Sequence, residues 1–135
     1  MALAPRSTKK SAYSAAFMTP ALEANELLTK VRFPRWPSGH GYGFVEFARR
    51  HGDFAIASAA VLLEVGANGK IARASMTLGG VAVAPIRCYE VEKKLVGETP
   101  SEELFRELCE ECRKVDAIDD VHAPASYRQH LAAVM

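Results

Sequence analysis

The chain has 135 residues, 49% of them hydrophobic and 24% charged, with a net charge of +1. That length fits one domain able to bury a core without disulfide or metal support, and it contains no apolar run long enough for a membrane span. The first 50 residues carry eight Lys/Arg against three Glu and the rest nine against 13 Asp/Glu, but no basic block exceeds two residues, which argues against a nucleic-acid footprint.

Residues 1–17 read as an arm or linker remnant, with Pro5, Ser7, Lys9 and Lys10, and residues 18–135 as a single domain. Residues 20–26 (PALEANE) suit one short turn. Residues 27–33 (LLTKVRF) predict a strand: Leu27, Thr29, Val31 and Phe33 share one face at period two, and Pro34 ends it. The stretch from Pro34 to Gly43 is punctuated by Pro37, Gly39 and Gly41 and reads as a loop.

Residues 42–50 (YGFVEFARR) predict a second strand. Apolar groups fall on both of its faces, so it is expected to be covered on both sides. Residues 55–65 and 70–79 predict two more strands around Asn68-Gly69, a dipeptide favoured in hairpin turns because it tolerates positive φ. Gly79-Gly80 ends the sheet. Pro85 then opens a predicted helix over 85–96, with Gly97 as its C-terminal cap. Thr99 or Ser101 caps a helix over 101–115, with Leu104, Leu108 and Cys112 as its apolar stripe. A final helix over about 124–134 is expected to bury Tyr127, Leu131 and Val134. Strands followed by helices predict an α+β fold: a three- to four-stranded antiparallel sheet with about three helices on one face.

Several groups are candidates for chemistry. Cys109-x-x-Cys112 would need two further ligands at regular spacing to hold zinc, and two small hydrophobes on a helix stripe fit better. With Cys88 that makes three cysteines and no secretory signal, which predicts free thiols and a reducing, cytoplasmic location. The Gly-rich stretch 39–43 joins two strands and lacks the helix that a phosphate loop opens. Gly52 and Asp53 suit a turn between strands, Gly52 by positive φ and Asp53 by accepting backbone N–H bonds. Asp119-Asp120 near His122 reads as a solvated acidic loop. Tyr127 and Arg128 leave two readings open, a helix packed by Tyr127 with Arg128 exposed, or a partner interface using both. No metal site and no complete catalytic set emerges.

Five stretches in one order carry a family resemblance: MTPALEANELLTKVRFP (18–34), GFVEFARRHGDFAIASAAVLL (43–63), IARASMTLGGVAVAPIR (71–87), KKLVG (93–97) and DDVHAPASYRQHLAAVM (119–135). Together they resemble the C-terminal domain of the FAD-binding medium subunit of molybdenum hydroxylases, as in carbon monoxide and xanthine dehydrogenases. The resemblance implies a domain packed beside two FAD-binding lobes whose AGGT-like and TxGG-like motifs this sequence lacks. Gly79-Gly80 belongs to the domain's own LGGVA stretch. By the same resemblance, Leu28 lies near the flavin, Val45 stands where xanthine-dehydrogenase relatives have a Lys, Asp53 is the recognisable acidic position of the RRHGD turn, and the last helix aids subunit docking.

The expected function is therefore that of a stand-alone or truncated structural and interaction domain, binding no cofactor by itself. Its expected partners are the FAD-binding lobes, other molybdenum-hydroxylase subunits or a second copy of itself. The alternative is a component of a split oxidoreductase subunit that completes a flavin site with a separate FAD-lobe protein.

Overall fold

The computed structural model describes Thr19 and residues 22–135, so the predicted arm over 1–17 lies outside the described residues. The chain divides into two compact units, 1–34 and 35–135.

In the first unit, residues 22–34 form neither helix nor strand. The turn predicted within 20–26 is present: Glu26 N–H donates to Glu23 O at 3.0 Å. The strand predicted over 27–33 is a correction. Its alternation is real, but a strand exists only where a ladder partner takes up its N–H and C=O groups. Among the described residues the sheet consists of four other strands, and Leu27 and Phe33 remain exposed.

The second unit is an antiparallel meander followed by helices. Strands β1 (Gly41–Ala48), β2 (Ala55–Val65), β3 (Ile71–Gly79) and β4 (Ile86–Arg87) lie in the order β1-β2-β3-β4. The β2–β3 hairpin turns through residues 66–70, closed by Gly66 N–H to Lys70 O at 2.8 Å, with Gly69 at φ 75°. Asn68 Oδ1 accepts from Lys70 N at 3.1 Å and stabilises the loop locally.

Helix α1 (Tyr89–Leu95) starts four residues later than Pro85, because Ile86 and Arg87 first pair with Leu78 and Thr77 as β4. Gly97, at φ 91°, turns the chain out of α1, and its N–H donates to Ile71 O at 2.8 Å. Helix α2 (Glu102–Cys109) is capped by Ser101, whose Oγ accepts from Leu104 N at 3.1 Å. It tightens into a 3-10 segment, Glu110–Lys114, and helix α3 (Ala125–Val134) closes the chain.

The core lies between one sheet face and the helices. Ala57, Ala59, Ala74, Met76 and Leu78 supply the sheet side, and Val91, Leu95, Cys112, Leu131 and Ala132 the helical side. Alternation along paired strands puts Gly41, Gly43, Val45 and Phe47 of β1 on this inner face, opposite Leu63, Val61, Ala59 and Ala57.

The expected cover over both faces of β1 is also corrected. β1 is an edge strand, and its residues from Gly41 to Phe47 are exposed. Its two-sided apolar pattern is as read, but the chain's own helices cover β2 and β3 and leave β1 open.

Candidate functional site

The arrangement that positions the last helix centres on Arg128. Arg128 as a whole is 2% exposed. Nη1 donates to Ile56 O at 2.6 Å and to Gly80 O at 2.8 Å, and Nη2 donates to both carboxylate oxygens of Asp120 at 2.7 Å. One side chain thus ties α3 to β2, to the end of β3 and to the loop before α3. The expectation of an exposed Arg128 and a buried Tyr127 is inverted. Arg128, Leu131 and Ala132 share the buried face at helical spacing, while Tyr127 and Val134 face outward. Tyr127 meets the Phe47 ring edge-on, with centroids 6.1 Å apart.

Asp120 is an anchor within the loop read as solvated. Its Oδ1 accepts from His122 N at 2.9 Å and Ala123 N at 3.1 Å. These backbone donors, with the Arg128 guanidinium, hold its carboxyl down at about 2. A carboxylate lowered by folding stabilises the fold above the ordinary aspartate range, and that contribution is lost as pH falls through the folded value. The melting temperature should therefore drop as pH falls from about 4 towards 2. An Asp120→Asn variant should show a flatter acid limb in the same titration.

Gly79 and Gly80 have a structural assignment. Gly80 sits at φ 74°, and a Cβ there would lie 2.8 Å from Ala55 O and 3.0 Å from Ile56 O. The close approach at this glycine is made by the chain's own backbone, so it forms no cradle for a ligand. The Gly-rich stretch 39–43 runs into strand β1 and not into a helix. These residues do not fit the pyrophosphate of FAD, which calls for converging backbone N–H groups or cations.

The turn after β1 contains Gly52 at φ 82°, Asp53 N–H donating to Arg50 O at 3.1 Å, and Phe54 N–H donating to Asp53 Oδ1 at 2.9 Å. Arg50 approaches Asp53 at 3.9 Å. Leu28 belongs to the first unit and is 45% exposed.

A second buried charge escaped the sequence reading. Glu92, on the inner face of α1, accepts Met76 N–H and Arg87 Nε with one oxygen, both at 2.8 Å, and Arg87 Nη2 with the other at 2.9 Å. β4 is two residues long, so the carboxylate takes over a β3 N–H beyond the end of its pairing. Arg87 in turn covers the Tyr89 ring, 4.8 Å from its centroid. Among the described residues no cluster of three His, Cys, Asp or Glu is placed to hold a metal, and no helix is long and apolar enough to cross a membrane.

The surface most suited to a partner surrounds β1. On the outer sheet face Tyr42 is 84% and Phe44 65% exposed, and Phe54 just beyond the turn is 95% exposed. On the inner face an open apolar cavity of about 380 Å³ lies between the sheet and the helices, lined by Val61, Leu63, Met76, Leu108 and Met135 beside Gly41 and Gly43. The two glycines leave the space that side chains would fill. A Cβ built on Gly43 meets nothing within 4 Å, and Gly43 is not among the glycines with positive φ. Gly43→Ala should raise stability by about 0.5–1 kcal/mol by restricting the unfolded chain, read as an upward shift of a few degrees in Tm.

Comparison with known proteins bears on this surface. The family described as the CO dehydrogenase flavoprotein C-terminal domain matches residues 42–135. The carbon monoxide dehydrogenase medium chain of Afipia carboxidovorans is 38% identical over 124 residues, covering 91% of this chain and 42% of that protein. The 6-hydroxypseudooxynicotine dehydrogenase complex subunit alpha of Paenarthrobacter nicotinovorans is 36% identical, covering 82% of this chain and 38% of that protein. Among solved structures, reconstituted CO dehydrogenase from Oligotropha carboxidovorans superposes with a TM-score of 0.79 at 36% identity, covering 92% of this chain and 43% of the matched one. The chain thus spans about two fifths of the length of these relatives. With the α+β meander and its helical layer in the same arrangement, the chain belongs to the CO dehydrogenase flavoprotein C-terminal domain family, the domain that ends the FAD-binding medium subunit of molybdenum hydroxylases.

Proposed function

We propose that this domain is a structural and interaction module of a molybdenum-hydroxylase flavin subunit. It packs against the FAD-binding lobes and binds no flavin by itself. The observation that carries this reading is the apolar surface around β1. Tyr42, Phe44 and Phe54 are exposed on a domain whose relatives are more than twice its length. Tyr42 and Phe44 share the outer face of β1, and exposed aromatics on one face mark an interaction site. In this reading Leu28 stands beside the flavin once the lobes are in place, Gly52 and Asp53 shape the turn that presents Phe54, and Tyr127 contributes to subunit docking. Arg128 serves that docking indirectly, by holding α3 in position.

The same surface serves whether the lobes belong to the same chain or to a separate flavoprotein. Without them, the open edge of β1 would pair with a second copy of the domain. The test is an absorbance spectrum of the purified chain. A colourless protein is expected, and near-stoichiometric flavin would overturn the reading.

A further inference from the structure

Among the described residues β1 is the long open edge of the sheet, since β4 at the other end has only two residues. An open edge presents a row of N–H and C=O groups, and proteins that avoid pairing block it with Pro, Lys or a bulge. Gly41–Phe47 contains no Pro, Lys or Arg, and the bulge lies past it, between Phe47 and Ala48. Tyr42, Phe44, Val45 and Phe47 along this edge are exposed, and the chain's own helices leave β1 open.

We propose that β1 pairs antiparallel with β1 of a second copy, about a twofold axis at Phe44, joining two sheets into one. The proposal rests on the reading of the β1 surface as an interaction site, and it names the partner that surface takes when the chain is alone.

Self-pairing narrows the register. A twofold axis normal to the sheet keeps outer face with outer and inner with inner, so one residue of β1 faces its own copy. An axis at Glu46 would set two carboxylates directly opposite, which destabilises a ladder. An axis at Val45 would bring Ala48, past the bulge, opposite Tyr42 and leave Gly41 facing Arg49, beyond the end of the strand. The axis at Phe44 pairs the whole regular stretch Gly41–Phe47. On the outer face Phe44 then meets Phe44 of the second copy, and Tyr42 meets Glu46, a phenol donor opposite a carboxylate acceptor. On the inner face Gly43 meets Val45 and Gly41 meets Phe47. The strand is thus complementary to its own reverse, with small residues opposite large ones. Gly41 and Gly43 line the open apolar cavity, so the incoming Val45 and Phe47 cover its open side and bury apolar surface.

The experiment is light scattering after size exclusion on the purified chain, beside Phe44→Lys, Phe44→Glu and an equimolar mixture of the two. The parent should run at twice the chain mass and each variant at the chain mass, with far-UV circular dichroism unchanged. The mixture should recover the dimer mass, because residue 44 meets only residue 44 across the axis and opposite charges then face each other. A parent at the chain mass, variants that stay dimeric, or a mixture that stays monomeric would each overturn the proposal. The mass of the parent decides the pairing itself even where a variant fails to fold. Binding of the FAD-binding lobes is a separate readout. A monomeric parent that takes up the lobes overturns the self-pairing alone, and a dimeric parent that ignores them overturns the wider reading alone.

Discussion

Replacing Arg128 with methionine is expected to destabilise the domain by about 3–5 kcal/mol, because it removes one partner of a buried, hydrogen-bonded charge network. The methionine keeps most of the side chain's length, so the loss is electrostatic more than steric. It leaves Ile56 O, Gly80 O and the Asp120 carboxylate without the guanidinium that all three share. Asp120 is partly exposed and can regain water, and the variant also removes Arg128 Nε, which has no partner. Both offset part of the cost, but the two carbonyls at the sheet end cannot be hydrated as readily. Arg128→Lys should recover little, since a single ammonium cannot span acceptors placed for a planar fork. Urea unfolding of the three proteins, read as a change in midpoint at constant slope, measures these differences.

Gly80→Ala should cost about 2–4 kcal/mol through two separate effects. A φ of 74° strains any residue with a Cβ, and that Cβ would press on the Ala55 and Ile56 carbonyl oxygens. Backbone atoms cannot rotate away as a flexible side chain can. Gly79→Ala provides the contrast: its nearest obstacle, at 2.6 Å, is the Ser58 hydroxyl oxygen, which can swing to another rotamer. Gly79→Ala should therefore cost less in the same urea titration. Gly80 and Arg128 share the Ile56 carbonyl, so their effects should be non-additive in a double-mutant cycle.

The sheet was legible in the sequence where local signals and packing agree. The Asn68-Gly69 turn between two apolar runs specifies the β2–β3 hairpin without reference to distant residues. Ser101 and the acidic first turn marked α2 in the same way. Segment 27–33 shows the limit of periodicity, which signals a strand-like pattern but supplies no ladder partner. β4 was missed because two residues give no period to detect.

The buried charges were illegible for a different reason. Arg128 and Glu92 each engage backbone groups remote in sequence, Ile56 O and Gly80 O for Arg128 and Met76 N–H for Glu92, and backbone groups carry no sequence signal. A charged residue on a helix therefore reads as exposed. The one available hint was spacing: Arg128, Leu131 and Ala132 stand at i, i+3 and i+4, on a face otherwise made of apolar residues. As for the candidate surface, its aromatic residues were plain in β1, but only the sheet order shows that β1 is an edge strand.

Association with the flavin-bearing part of a medium subunit tests the central claim most directly. The chain should be mixed with the FAD-binding lobes of the Afipia carboxidovorans medium chain, produced separately with their flavin, and followed by size exclusion at the protein and flavin absorbance bands. The account predicts one co-eluting complex at equal stoichiometry, weakened at least tenfold by Phe44→Glu, about 1.4 kcal/mol of binding, with the far-UV circular dichroism of the variant unchanged. Independent elution of the two proteins, or a Phe44→Glu variant that binds as well as the parent, would contradict it.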